Sequence, residues 1–314
     1  MPTLERITVF PVKSLDGLTV TRAGVLPDGA LEHDRRWQLV DMEGRVVNAK
    51  RTPLLYAIRA VYAIAGLAPA APPAGGELPP LAANVIALAV DPGAVEARAV
   101  AGIERLAGLG PEVFPLLPGA AGPCGWLAEA LGEPVMLVER SGGGFPDDRE
   151  APGPTLVATA TLAEVARWFG FDLAESRRRF RVNLEIGGCD AFWEDTLAIP
   201  ARPGLADEDG GLAAELPADP YADLPPPEPR ELLIGPVRLR ATGVCRRCVV
   251  PTRDSRTGAI TEHFRDAFEA RRTRSLRPDV DASAWSHAYR LAINTIGLTS
   301  GLITLRDPIS DLLA

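Results

Sequence analysis

The sequence predicts a mainly β protein of the α+β class, with two domains and a few peripheral helices. Short runs rich in β-branched and aliphatic residues alternate with polar residues and are broken by Gly, Pro and Asp. Convincing helical periodicity is confined to two short segments, both after residue 123. A chain of 314 residues exceeds one average domain. Two hydrophobic cores are therefore expected.

The first domain is expected to be built from β-strands. The strand-like runs of its first sixty residues are "RITVFPVKSL", "GLTVTRAGVL", "RWQLVDMEGRVVNAK" and "LLYAIRAVYAI". Within the third run, residues 41–44 predict a hairpin turn. Residues 66–83 are rich in Pro, Gly and Ala, which predicts a surface excursion.

Helical signals mark the start of the second domain. The segment "CGWLAEALG" places its apolar residues on one face and ends at Gly132, and the strand-like "PVMLVER" follows. The boundary is predicted just before Cys124. We therefore expect domains over 1–122 and 123–314.

The rest of the second domain combines one helix with several strands. Thr161 precedes Glu164 by three residues at the head of "TLAEVARWFG", which predicts a capping box. In "RFRVNLEI", strand alternation would send Arg181 and Asn183 to the same face. Residues 197–230 lack a usable period and predict an acidic inserted loop. The remaining strand-like runs are "ELLIGPVRLRATGV", "AYRLAINTIG" and "LITLRDPI".

Composition narrows the functional classes. No stretch approaches the roughly 18 apolar residues of a membrane span, and "MPTLERITVFPVK" does not resemble a signal peptide. We therefore expect a cytoplasmic protein without membrane association. The net charge of −8 disfavours non-specific binding to nucleic acid or to anionic membranes. An anionic ligand would need a local basic pocket.

The segment "GVCRRCVVPT" contains Cys245 and Cys248 in a C-x-x-C spacing with four interpretations. A structural zinc site would need two further ligands, and the other cysteines and histidines lack a paired ligand spacing. A redox dithiol would need its first cysteine at a helix N-terminus, whereas "VVPT" favours extended chain. Both thiols could instead be small core residues. Finally, one thiolate, favoured by nearby arginines, could ligate a soft metal whose other ligands come from a cofactor.

Basic residues that could meet such a cofactor occur in both domains. Lys13 and Ser14 follow a predicted strand in "PVKS", and Arg35 opens the next hairpin in "EHDRRW". Such side chains at strand ends suit a phosphate or a pterin carbonyl. As solvated surface cations they would contribute little. Arg181 and Asn183 are similarly either exposed or directed into a cleft.

Several motifs, in order over nearly the whole chain, resemble one family. They are "FPVKSLDG", "HDRRWQLVDMEG", "RFRVNLEIGGCDAFWED", "LLIGPVRLRATGVCRRCVVPT", "DSRTG" and "GLITLRDPI". Together they resemble the MOSC family, the molybdenum cofactor sulfurase C-terminal domain, preceded by its N-terminal β-barrel domain. Within that family they are most similar to the branch of the amidoxime reducing component.

The resemblance implies two β-barrel-like domains with peripheral helices and the molybdenum cofactor (molybdopterin) between them. It implies that Cys248 is the catalytic residue and the molybdenum ligand, with Cys245 its neighbour. The residues that it implies for binding the pterin and its phosphate are Lys13, Ser14, Arg35, Arg181 and Asn183. Departures from the family pattern are Lys50, where arginine is common, and Arg306, where glycine is usual. Near "APGPTLVAT" no residue aligns with the hydroxyl that contacts the cofactor in the family, and Thr155 is retained as a candidate.

The resemblance also implies an activity. The protein is expected to reduce N-hydroxylated small molecules, such as amidoximes or hydroxylamines, with electrons from a separate iron–sulfur or haem protein. No appended ferredoxin-type cysteine pattern follows Cys248. One alternative is a carrier of the cofactor or of a persulfide without turnover of its own. Another is a metal-free binding module.

Overall fold

The computed structural model describes residues 1–71, 84–198, 230–277, 280, 282 and 285–311. The strands are β1 (Thr3–Val9), β2 (Leu18–Val20), β3 (Arg22–Val25), β4 (Trp37–Val40), β5 (Val46–Val47), β6 (Ile58–Ala63), β7 (Val85–Val90), β8 (Glu112–Pro115), β9 (Met136–Glu139), β10 (Leu156–Ala158), β11 (Leu184–Gly187), β12 (Glu231–Ile234), β13 (Val237–Arg246), β14 (Arg290–Gly297), β15 (Gly301–Thr304) and β16 (Ile309–Asp311). The α-helices are α1 (Pro92–Ala97), α2 (Cys124–Leu131), α3 (Thr159–Phe169), α4 (Leu173–Phe180) and α5 (Phe264–Arg274). Single 3-10 turns span Pro53–Ala57, Ile103–Gly108, Trp193–Leu197 and Val250–Thr252.

The largest sheet has eight strands in the order β16-β12-β13-β14-β10-β11-β1-β2 and curls into a half-barrel. Strands β10 and β11 run parallel, whereas the other neighbours in this sheet are antiparallel. Two register shifts in β13, after Ala241 and after Val244, place bulges close to the C-x-x-C segment. Because bulges bend a strand and increase its twist, they help this sheet to curl. The predicted fold class, mainly β with peripheral helices, is confirmed.

Three smaller sheets complete the β structure. They are β5-β4-β9, β6-β7-β8 and β15-β3. The hairpin turn predicted at residues 41–44 joins β4 to β5, with Gly44 at φ 78°. A core around Trp37 and Trp126 underlies the first half, and a second core around Leu4 and Ile293 lines the curled sheet.

Strand pairs cross the predicted domain boundary at three places. Strand β1 pairs with β11, β3 pairs with β15, and β4 pairs with β9. The first forty residues therefore contribute backbone hydrogen bonds to strands that lie beyond residue 122. The division of the chain into domains over residues 1–122 and 123–314 remains a prediction.

Helices α2 and α3 confirm the two predicted helical segments, but the predicted capping box is wrong. The N-cap of α3 is Ala158, and Thr161 lies inside the helix. The Thr161 hydroxyl donates to the buried Glu194 carboxylate and accepts from the Phe192 N–H. A buried carboxylate that needs donors has claimed the hydroxyl that would otherwise cap the helix.

The predicted strand "RFRVNLEI" is wrong in its first half. Helix α4 runs to Phe180, and β11 begins only at Leu184. The Asp172 side chain caps the helix by accepting from the Glu175 N–H at 2.6 Å. Arg181 terminates it in the left-handed region at φ 52°. Arginines in the last helical turn also interact favourably with the helix dipole. Alternation therefore does not orient Arg181 and Asn183.

Most of the predicted excursion at 66–83 and of the acidic insert at 197–230 lies outside the described residues. Where the structure describes the chain, it contains no helix that is both long and apolar enough to cross a membrane.

Candidate functional site

A cluster of charged side chains gathers at the end of β1, ahead of β4. The Lys13 ammonium lies 2.9 Å from one Asp147 oxygen, and the Arg35 Nε lies 3.4 Å from the other. Lys13 also donates to the Phe145 carbonyl at 3.2 Å. A carboxylate from the loop after β9 is thus the counterion of two cations from the first forty residues.

The electrostatics of this cluster are dominated by its cations. Burial acts to raise the pKa of Asp147, but Arg35, Lys13 and Lys50 outweigh it, and the pKa lies far below its usual range. Burial lowers the pKa of Arg35, and the carboxylates of Asp34 and Asp147 more than offset this, leaving it raised. The Asp147 side chain remains 57% exposed. The cations therefore hold a solvent-accessible anion.

Asp34 and Asn183 support Arg35 from behind. Asp34 pairs with Arg35 through one oxygen, and its other oxygen accepts from the Phe10 N–H at 2.8 Å and from the Asn183 amide at 3.0 Å. The Asn183 amide also donates to the Thr8 carbonyl and accepts from Thr155. The Asn183 side chain is therefore occupied by protein partners, and it acts on Arg35 through Asp34.

Arg181 comes close to Arg35 over a shared aromatic ring. Its guanidinium carbon lies 4.3 Å from the centre of the Phe10 ring, and that of Arg35 lies 5.3 Å from it. Arg181 also donates to the Leu15 carbonyl at 2.7 Å. Burial and, second, the charge of Arg35 lower the pKa of Arg181. Two neighbouring guanidinium groups with restricted hydration favour the binding of an anion.

Ser14 lies between Lys13 and Leu15 in a left-handed conformation, at φ 73°. Its hydroxyl oxygen accepts from the Ala49 N–H at 3.1 Å. This bond leaves the hydroxyl hydrogen free to donate, as phosphate recognition requires.

The two cysteines of the C-x-x-C motif have opposite environments. Cys245 lies in β13, is 5% exposed, and donates to the Asn294 side-chain oxygen. Burial raises the pKa of Cys245 to about 11, so it remains a neutral thiol. Cys248 follows the strand and is exposed. Of these two cysteines, only Cys248 is an exposed residue.

Two tyrosines lie in the electrostatic environment of Cys248, and one of them, Tyr56, also senses Arg181 of the cationic cluster. Sequence reasoning missed both tyrosines. Burial and, second, the charge of Cys248 raise the pKa of Tyr56 to about 12, while Arg253 and Arg181 oppose the shift. The charges of Cys248 and of Arg181 therefore both influence the pKa of the Tyr56 phenol. Burial also raises the pKa of Tyr289, to which Cys248 contributes. No signal could have identified these tyrosines, because each lies within an apolar run.

The Tyr289 hydroxyl is a further polar group of this region. It is buried, and within the described residues it has no hydrogen-bond partner. Leaving a buried hydroxyl unpaired has a cost in free energy. Such an atom close to Cys248 suits a site that is completed by a bound group.

Helix α4 fastens the cysteine segment to Arg181. Arg247 donates to the Phe180 carbonyl, at the residue before Arg181. Arg179 donates to the Pro251 carbonyl at 3.1 Å. Hydrogen bonds from residues before and after Cys248 thus attach the cysteine segment to α4, the helix that ends next to Arg181.

Other metal and pocket locations receive no support. Within the described ranges, no group of three or more His, Cys, Asp or Glu side chains could hold a metal ion, which leaves the zinc interpretation without further ligands. A surface depression lined by Leu109, Phe114 and Trp126 contains none of the predicted site residues.

The chain has a mixed α/β fold with a curled sheet, a cluster of cations around Asp147, and an exposed cysteine, Cys248. Residues 1–85 match the family model of the MOSC N-terminal beta barrel domain. This range includes Lys13, Ser14 and Arg35. No curated protein matches the chain. The amino-terminal part of the resemblance is therefore confirmed, and the MOSC domain expected after it belongs to the proposal below.

Proposed function

We propose that this chain continues into a MOSC domain, binds the molybdenum cofactor and reduces N-hydroxylated small molecules. One observation carries the proposal. Cations from separate stretches of the chain lie together: Lys13 and Arg35 share Asp147, and Arg35 and Arg181 share the Phe10 ring. The charges of Arg181 and Cys248 also both influence the pKa of Tyr56. MOSC domains are associated with this cofactor, and the match at residues 1–85 agrees with it.

The residues present fit such a group. The cofactor carries a phosphate and a dithiolene, and neighbouring guanidinium groups on one ring suit an anion. Lys13, Ser14 and Arg35 would hold the phosphate. Arg181 would face the pterin, and Asn183 would hold Asp34 and thereby orient Arg35.

Cys248 is the proposed molybdenum ligand. A soft thiolate suits molybdenum, and Cys248 is an exposed residue, whereas the Cys245 thiol is buried and bonded to Asn294. When bound, the cofactor would supply two-electron redox chemistry at the metal. The protein residues would hold it, set its charge environment and leave a position open to the substrate.

The proposed partners follow from this assignment. The substrate would be an amidoxime or a hydroxylamine, and the electrons would come from a separate iron–sulfur or haem protein. The division of the chain at 122/123 into two barrel-like domains belongs to the same proposal.

A second candidate function has one observation in its favour. The exposed sulfur of Cys248 is open to a protein partner, as a carrier of cofactor or persulfide sulfur requires. In this case the chain would transfer its cargo and would not turn over substrate.

The decisive experiment uses protein made in a host that synthesises the cofactor. About one molybdenum per chain, together with benzamidoxime reduction by an artificial electron donor, supports the enzyme. Transfer of the cofactor to another apoprotein without benzamidoxime reduction supports the carrier. Protein without molybdenum from that host would refute the enzyme and the carrier of cofactor, and would leave only the carrier of persulfide sulfur.

A further inference from the structure

Two arginines face each other across the sheet next to the cysteine segment. In the β13–β14 ladder, Arg246 lies directly opposite Arg290. Like charges in this position are usually destabilising. Arg290 donates to the Val244 carbonyl at 3.2 Å and to the His287 carbonyl at 3.4 Å. The paired strands β13 and β14 therefore place two positive charges close together, next to the cysteine segment.

A third arginine joins this pair from α5. The Arg265 guanidinium lies 5.5 Å from the centre of the Tyr289 ring, pairs with Glu269 at 2.7 Å, and belongs to a side chain that is 56% exposed. Burial first, and then Arg290, Arg265 and Arg246, lower the pKa of His287, while Glu269 opposes them. Three arginines and one carboxylate thus surround this imidazole, and positive charge prevails. We call Arg246, Arg265 and Arg290 the arginine face.

The arginine face adjoins the proposed catalytic sulfur. Arg246 precedes Cys248 by two residues, and Arg265 and Cys248 both act on Tyr289. Next to the sulfur, Val249 is 46% exposed. Exposed arginines beside an exposed apolar side chain are typical of protein–protein interfaces rather than of pockets for small molecules.

The charge of the whole chain determines which partner fits. With a net charge of −8, most of the protein repels an acidic partner. A local basic surface would then steer such a partner into one orientation, with its acidic side facing Cys248.

We propose that the arginine face is the docking surface for an acidic iron–sulfur or haem protein that delivers electrons at the Cys248 site. The proposal rests on the proposed function. Reduction of an N–OH group to N–H and water takes up two electrons and two protons. The docked carrier would supply these electrons in one-electron steps and would itself be oxidised, and solvent would supply the protons.

The test measures binding of two purified acidic carriers, a plant-type [2Fe-2S] ferredoxin and a soluble cytochrome b5 domain, to the full chain. Dissociation constants are compared at low and at near-physiological ionic strength. The test variant is Arg246→Glu combined with Arg265→Glu. The control is Arg45→Glu combined with Arg167→Glu, which reverses the same number of charges at side chains that are 69% and 76% exposed. Circular dichroism checks that each variant is folded.

We expect at least one carrier to bind at low ionic strength, more weakly as salt rises, and about tenfold or more weakly to the double variant. The control should change binding by less than about twofold. Binding of neither carrier, or an equal loss in the control, would overturn the proposal. Displacement of the carrier by inorganic phosphate at constant ionic strength would also overturn it, because it would indicate a small-anion site.

The outcomes separate this proposal from the proposed function. If protein from the cofactor-competent host contains no molybdenum but still binds a carrier through Arg246 and Arg265, the docking surface stands and the proposed enzyme is refuted. If the protein reduces benzamidoxime with an artificial donor but binds the carriers equally well with and without the changes at Arg246 and Arg265, the proposed function stands and the docking surface is refuted.

Discussion

At the scale of single residues, the structure separates two cysteines that the sequence places three positions apart. Cys245 is buried and bonded to Asn294, and its pKa of about 11 keeps it a neutral thiol. Cys248 is exposed and acts on Tyr56 and Tyr289. Their chemistry should differ accordingly.

We predict that Cys248→Ser abolishes benzamidoxime reduction, with a loss on the order of 100-fold or more, because a hydroxyl is a poor substitute for a soft thiolate. Cys245→Ser keeps a hydrogen-bond donor for Asn294 and should retain most of the activity. Steady-state kinetics on both variants, normalised to folded protein, make the comparison. Equal losses in the two variants would show that the ligand is assigned wrongly.

Arg35 and Arg181 lead to a second residue-scale prediction. Replacing either by Ala should lower molybdenum occupancy by about tenfold or more while the protein remains folded, since charged hydrogen bonds to an anion contribute about 1.5–3 kcal/mol. Metal analysis by mass spectrometry measures the occupancy, and Arg45→Ala is the control. Full molybdenum content in both variants would refute the proposed roles.

At the scale of elements, α4 joins the two parts of the site. Glu175 in its first turn accepts from the Ser255 N–H at 2.9 Å and from Arg179 at 2.6 Å, and Arg179 reaches the Pro251 carbonyl. Burial acts to raise the pKa of Glu175, but the hydrogen bonds from Ser255 and Arg179 outweigh it, so the pKa is lowered. The ionised carboxylate therefore stabilises the folded state.

Glu175→Gln should reduce the free energy of unfolding by about 3 kcal/mol at neutral pH, since buried Arg179 then keeps only the more distant Asp254, at 3.9 Å, as a counterion. Urea unfolding measures the change. Glu43→Gln removes an exposed partner of Arg45 and should cost less than about 0.5 kcal/mol. Similar costs for the two variants would contradict the importance given to α4.

The 3-10 turn Trp193–Leu197 makes a prediction about pH. Burial and, second, the charge of Asp195 raise the pKa of Glu194 to about 8, from 4.5 when unfolded. Between these values the folded state holds a proton that the unfolded state has lost. Stability from this group is therefore complete below pH 4.5 and falls as pH rises to about 8, by roughly 1 kcal/mol per pH unit.

Glu194→Gln should remove this decline, because the amide does not titrate. Urea unfolding of wild type and variant at pH 5, 6.5 and 8 tests the prediction. Parallel pH profiles for the two proteins would show that Glu194 is not protonated in the folded state at neutral pH.

At the scale of the whole molecule, the two halves of the chain are built into common sheets. Strands β1, β3 and β4 take partners from beyond residue 122. This arrangement also brings Lys13 and Arg35 to Arg181, because β1 and β11 are neighbours in one sheet. The site therefore depends on the pairing of sequence-distant strands.

An isolated fragment of residues 1–122 would lack the partners of these three strands. We expect it to show no cooperative thermal transition by circular dichroism, in contrast to the full chain. Cooperative unfolding of the fragment on its own would show that the first domain is independent of the second.

Local patterns predicted much of this fold, and long-range contacts limited the rest. Alternation and turn residues identified most strands and the hairpin at residues 41–44, and helix periodicity identified α2 and α3. The segment before Asn183 was misread because Asp172 caps a helix there, and the sequence offered an equally plausible alternation. Thr161 was misread because its partner, Glu194, is more than thirty residues away.

The candidate site was predictable in its residue types but not in its connections. Cations at strand ends indicated Lys13 and Arg35, and the C-x-x-C spacing indicated Cys245 and Cys248 together. Only the family resemblance selected Cys248 of the two. The supporting contacts of Asp147, Tyr56 and Tyr289 depend on tertiary structure, for which a single sequence carries no local signal.

The most direct test of the account is molybdenum K-edge X-ray absorption on the purified protein and on Cys248→Ser. The account predicts a molybdenum centre in both, with one sulfur neighbour fewer in the variant. A spectrum with the same number of sulfur neighbours in the two proteins would contradict the claim that Cys248 binds the metal.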